Sequence, residues 1–138
     1  MPNSKAIGVA YSDQDIIGSQ YILSDEQLGY TTAAQGTVTQ ATSKATAVTL
    51  NKSAGRITLN GAALAGNTAV TFTLNNTLIS SNDILVLNVS AGSVADATTY
   101  TTYVSSLGTG TAVITLRNLT GTSQSEAVIL NFALIHCQ

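Results

Sequence analysis

His136 and Cys137 are the only histidine and the only cysteine in the chain, and they are adjacent. A thiolate beside an imidazole is the nucleophilic pair these types offer. Neighbours on a strand point to opposite faces, so these two cannot serve each other, and no second histidine exists to act as base. Asp13-Gln14-Asp15 places two carboxylates two residues apart, a spacing that can hold a divalent cation or form an acid/base pair. Ser24 stands where a calcium loop would end in a bidentate glutamate, so the pair reads as part of an acidic surface. Gly108-Thr109-Gly110 lacks the lysine and helix of a phosphate loop and reads as a turn. Four Asn-x-Ser/Thr triplets, at Asn51, Asn75, Asn88 and Asn118, are about what so much serine and threonine produces, and they are not read as glycosylated. Lys44, Lys52 and Arg56 fall close together and could receive carboxylates of the same or another subunit. Tyr100 and Tyr103, three apart, should face opposite sides of a strand, with one packed inside. No catalytic residue, metal site or cofactor is expected from this set.

Elements that could position such residues are β-strands. From Thr37 onward apolar and hydroxylated residues alternate with period two, as in half-buried strands. The candidates are Thr37 to Thr42, Ala47 to Leu50, Arg56 to Asn60, Val70 to Leu74, Ile84 to Val89, Thr98 to Ser105, Thr111 to Arg117 and Ala127 to His136. Ile84 to Val89 is almost continuously apolar and predicts a strand covered on both sides. In the last candidate Val128, Leu130, Phe132 and Leu134 should face inward. Turn signals separate these runs: Asn60-Gly61, Ala65-Gly66-Asn67, Ser80 to Asp83, Ser90 to Gly92, Leu107 to Gly110 and Gly121 to Ser123. Gly61 to Leu64 is the only helix-like stretch and is too short to stand alone. The expected fold is all-β, an antiparallel two-sheet β-sandwich of jelly-roll type, with an immunoglobulin-type sandwich as the alternative.

Charge divides the chain near Gly36. Residues 1–36 carry Asp13, Asp15, Asp25 and Glu26 against Lys5, and their apolar patches are too short to make a core. They read as an extended N-terminal arm, ordered by lying on something else, ahead of a domain spanning 37–138. Over all 138 residues only 9% are charged, against the usual quarter, while serine, threonine, asparagine and glutamine supply 52. A net charge of −2 offers no basic stripe for nucleic acid. No apolar run approaches a membrane span, and no secretory signal is expected. Hydrophobic residues at 44% argue against disorder, and one cysteine leaves an internal disulfide impossible. Twelve charges spread over roughly 6,700 Å² of expected surface leave little to desolvate when copies pack together. Such a surface favours oligomers and particle-bound proteins.

Thr37 to Asn60 (TVTQATSKATAVTLNKSAGRITLN) resembles a segment of small structural proteins of tailed bacteriophages and prophages. Ile114 to Ser125 (ITLRNLTGTSQS) and Glu126 to Ile135 (EAVILNFALI) are similar to the closing strands of such proteins, and Lys5 to Tyr11 (KAIGVAY) to their leader. Within that class the chain resembles capsid decoration, or cement, proteins. The resemblance implies a homotrimer on the outer surface of the virion that binds the major capsid protein and reaches across neighbouring subunits with its arm. Ile7, Val9, Tyr11, Ile16 and Ile17 would then supply apolar contacts, and Asp13, Asp15, Asp25 and Glu26 would steer or anchor them, with Lys44, Lys52 and Arg56 as further contact positions. A receptor- or saccharide-binding module of a tail fibre is the alternative. No coiled-coil or triple-helical shaft precedes the body, which is the reason to prefer the head.

Overall fold

Residues that alternate apolar with polar do form strands, and the glycine- and asparagine-rich breaks fall between them. A computed structural model describes residues 21, 23, 25–92 and 98–137. After a 3-10 turn at Thr32–Ala34 come β1 (Gln35–Thr39), β2 (Val48–Thr49), β3 (Ala54–Thr58), β4 (Ala69–Asn75), β5 (Ile84–Ala91), β6 (Tyr100–Gly108), β7 (Thr111–Asn118) and β8 (Ile129–Ile135). Gly61 to Leu64 is not helical; Leu64 instead makes an isolated antiparallel bridge to Gln124. Among the described residues no helix is long and apolar enough to cross a membrane.

The strands form two four-stranded sheets, β1-β3-β8-β5 and β2-β4-β7-β6. Both are mixed, not purely antiparallel as expected. β1 pairs parallel with β3, and β2 parallel with β4. The cause is topological. Up to β6 the chain changes sheet at every connection, and each crossing reverses its direction. Strands two apart in sequence therefore run the same way, whereas β3 with β8, β5 with β8, and β4 with β7 are separated by an odd number of reversals and pair antiparallel.

Both sheets contribute to one apolar core. Ile57, Leu130, Phe132 and Leu134 come from the first, and Phe72, Leu74, Ile114 and Leu116 from the second, with Val128 and Leu59 sealing one end. Each such side chain contributes about 1.5–3 kcal/mol on burial. Val128, Leu130, Phe132 and Leu134 all point inward as their alternation predicts. Tyr100 is buried and Tyr103 exposed, also as their spacing predicts. β5 differs. It is an edge strand, so although Leu85 is buried, Ile84 and Val86 are 54% and 49% exposed. An uninterrupted apolar run implied cover on both faces, but nothing among the described residues covers the outer one.

Two junctions hold the loops in place. β6 and β7 form a hairpin through Thr109 and Gly110, where Gly110 takes the positive φ of 75° that such a tight reversal requires. Opposite, the loop before β4 lies against the loop after β7, and Gly66 meets the backbone of Gly121 and Thr122. Asn118, fully buried, ties the two loops together. Its Nδ2 donates to the carbonyls of Leu64 (3.0 Å), Ala65 (3.2 Å) and Thr122 (2.8 Å), while its Oδ1 accepts from the Thr120 N–H (3.0 Å).

Candidate functional site

Of the contact residues expected from sequence, Ile7, Val9, Tyr11, Asp13, Asp15, Ile16 and Ile17 lie outside the described residues. Asp25 and Glu26 are exposed ahead of the 3-10 turn. Further along this segment the Tyr30 hydroxyl donates to the carbonyl of Leu134, and Gln35 Nε2 donates to the Tyr30 carbonyl at 2.9 Å. The segment thereby lies against β8, and β1 begins at Gln35, before the composition change at Gly36.

The three bases do not form one surface cluster. Lys52 is half-buried and donates to the Ala33 carbonyl at 2.8 Å, and Arg56 is exposed on β3. Lys44 is only 3% exposed, and its ammonium donates to the carbonyls of Asn60 and Glu126, the latter at 2.6 Å. Three loops converge there. Burial lowers the Lys44 pKa, while the Glu126 carboxylate opposes that shift. Tyr100 shares this environment, and burial, then the charge of Glu126, pushes its phenol up to about 12. Because the folded state holds the neutral phenol, this contribution is complete below the ordinary value of 10.0 and is lost as pH rises from there toward 12. A spectrophotometric titration should show one of the five tyrosines ionising near pH 12, and Tyr100→Phe should remove that step. Retention of the late step in the variant would contradict the assignment.

The opposite end of β8 is held by another polar centre. Asp83 has its carboxylate almost wholly enclosed; it accepts from the Ser80 N–H and hydroxyl, both at 2.8 Å, and from the Cys137 N–H at 3.1 Å. His136 Nδ1 stands 3.0 Å away. The Ser80 N–H foremost, with the Ser80 hydroxyl, the Cys137 N–H and His136, holds Asp83 well below the usual carboxylate range against the opposing effect of burial. His136 and Cys137 thus close the strand end onto β5, the imidazole of one and the main-chain N–H of the other both meeting Asp83.

What the fold does present is the outer face of the β1-β3-β8-β5 sheet. Cross-strand register aligns its outward residues in rows. Ile84 pairs with Ile135, and Val86 with Ala133. These make an apolar corner in which Ile84, Val86 and Ile135 are each about half exposed, and Leu28, Gly29 and Tyr30 border the same end of β8 around a recess with Ile135 and His136. One row over, Asn88 pairs with Asn131, Asn131 with Arg56, and Arg56 with Thr37.

Comparison of the chain with protein-family models, curated proteins and solved structures finds no match. Its function is therefore argued from the residues alone. Two features escaped the sequence reading. Lys44 sits among serines and threonines, where the sequence suggests a surface contact position; its burial depends on loops that converge only in three dimensions. The polar row was half visible, because inward-facing Ile57, Leu130 and Phe132 force Arg56 and Asn131 outward, but their alignment requires the register.

Proposed function

We propose that the chain is a virion structural protein, a decoration protein that binds the assembled head of a tailed phage as a homotrimer and stabilises the capsid lattice. The observation that carries this reading is the apolar corner of Ile84, Val86 and Ile135 beside β5. The edge strand β5 has no proline or charged residue and is irregular only near its end, between Val89 and Ala91, so its first half, with Ile84 and Val86 exposed, is a surface for association of the kind that soluble monomers normally guard with lysine or proline. The near-absence of charge elsewhere lowers the cost of packing copies together. Three linked copies then bind the lattice with high effective concentration even when each contact is weak, and binding only to the assembled shell stabilises it by mass action.

The finer architecture belongs to the same proposal: a jelly-roll sandwich preceded by an arm. Nested pairing supports it, with β3 against β8, β4 against β7, and β5 touching β6 across the open side, as in a ribbon rolled on itself. Ile7, Val9, Tyr11, Ile16 and Ile17 supply the arm's apolar contacts to the major capsid protein, and Asp13, Asp15, Asp25 and Glu26 its charge.

Deletion of residues 2–20 leaves all eight strands in place and tests the reading directly. The intact protein should have the mass of a trimer in light scattering and co-sediment with isolated phage heads, and the shortened one should stay folded and remain in the supernatant. A monomeric intact protein, or undiminished co-sedimentation after the deletion, would overturn the proposal.

A further inference from the structure

We propose that the outer face of the β1-β3-β8-β5 sheet binds an acidic saccharide, a function independent of attachment to a capsid. A groove of about 480 Å³ opens over β1, β3 and β8, and Thr32, Gln35, Thr37, Arg56 and Asn131 contribute its polar lining. Thr37, Arg56 and Asn131 stand in one cross-strand row on β1, β3 and β8 within it, and Asn88 of β5 continues that row beyond the groove. Adjacent strands lie about 4.8 Å apart, so such a row offers hydrogen-bonding groups at intervals close to the length of a pyranose ring.

Two groups in the groove point to a ligand. Asn131 Oδ1 is shielded from solvent and has no hydrogen-bond partner among the described residues. An acceptor in that state costs free energy, which a hydroxyl donated to it recovers. Arg56 is the second. Its guanidinium is exposed, with no carboxylate within ion-pair distance among the described residues, and its planar fork matches a carboxylate in two parallel hydrogen bonds. Amides and hydroxyls flanking that fork suit a chain of hydroxyl groups carrying a carboxylate.

An extended peptide is a poorer fit. Peptides recognised by sheets add to an edge, where main-chain N–H and C=O groups are free. Here the groove opens on the face of the sheet, over the interior strands β3 and β8, whose main-chain groups are already engaged in the ladders, and only β1 has a free edge. Recognition on that face runs through side chains, as it does for polyols.

The test is a titration of the full-length, isotope-labelled protein with a galacturonic acid trisaccharide, followed by amide NMR shifts. Saturable shifts should centre on Thr37, Arg56 and Asn131. Arg56→Gln should weaken binding at least tenfold with an unchanged melting temperature, and Arg56→Lys, which keeps the charge but loses the fork, should fall between. A neutral trisaccharide of galactose should bind at least tenfold more weakly than the acid. Absence of saturable shifts, equal binding of the neutral sugar, shifts confined to other surfaces, or binding of a peptide of residues 9–17 in place of the sugar would each overturn the proposal.

Discussion

Replacing Lys44 with methionine should lower the free energy of unfolding by about 3 kcal/mol, the loss seen when one partner of a buried charged group is removed. Methionine is flexible and of similar length, so the space is refilled and the effect reports the ammonium. What is lost is the pair of charge-assisted bonds to the carbonyls of Asn60 and Glu126, together with the cation that faces the enclosed Glu126 carboxylate. Net worth per bond is about 1.5–3 kcal/mol when one partner is charged, and the saved desolvation of the lysine offsets part of the total. Glu126→Gln in the same chain should restore a substantial share, because the remaining charge is then gone too. Urea unfolding of the single and double variants measures both terms. A single-variant loss below about 0.5 kcal/mol, the range of ordinary surface changes, would show that Lys44 contributes no more than a solvated lysine.

Gly66→Ala should be about as damaging, costing about 3 kcal/mol by overpacking. A methyl group built on Gly66 would stand 2.4 Å from the carbonyl carbon of Gly121 and 2.6 Å from both its oxygen and the Thr122 nitrogen. These are main-chain atoms held by Asn118, so they cannot swing aside as a side-chain end would. Gly121 provides the control. Although it forms the other side of the same contact, a methyl group there meets nothing within 4 Å, and Gly121→Ala should change stability by less than about 0.5 kcal/mol. Equal melting temperatures for the two variants would refute the close approach.

How far the sequence could be read follows from what period two encodes. It reports which face a residue takes, so the inward set Val128, Leu130, Phe132 and Leu134 and the division between Tyr100 and Tyr103 were legible from residue types. It does not report neighbours. The parallel pairing of β1 with β3, the edge position of β5, and the alignment of Asn88, Asn131, Arg56 and Thr37 all depend on strand order, which alternation leaves open. Charge misled at Lys44 for a related reason. A lysine in a polar loop looks solvated unless the carbonyls that receive it can be located, and those belong to Asn60 and Glu126, 16 and 82 positions away. Most of the arm expected to make contacts lies outside the described residues; Asp25 and Glu26, its described acids, are on the surface.

Strand order also constrains how the protein can be made. β7 lies between β4 and β6, and β8 between β3 and β5, so the last two strands in the sequence are the middle ones in space. A growing chain emerging from a ribosome can pair neither sheet's interior until residues beyond 110 are available, and it must hold β3, β4 and β5 in reserve while synthesis continues. Such dominance of distant pairings makes folding slow, and it postpones closure of both sheets until β7 and β8 have been made.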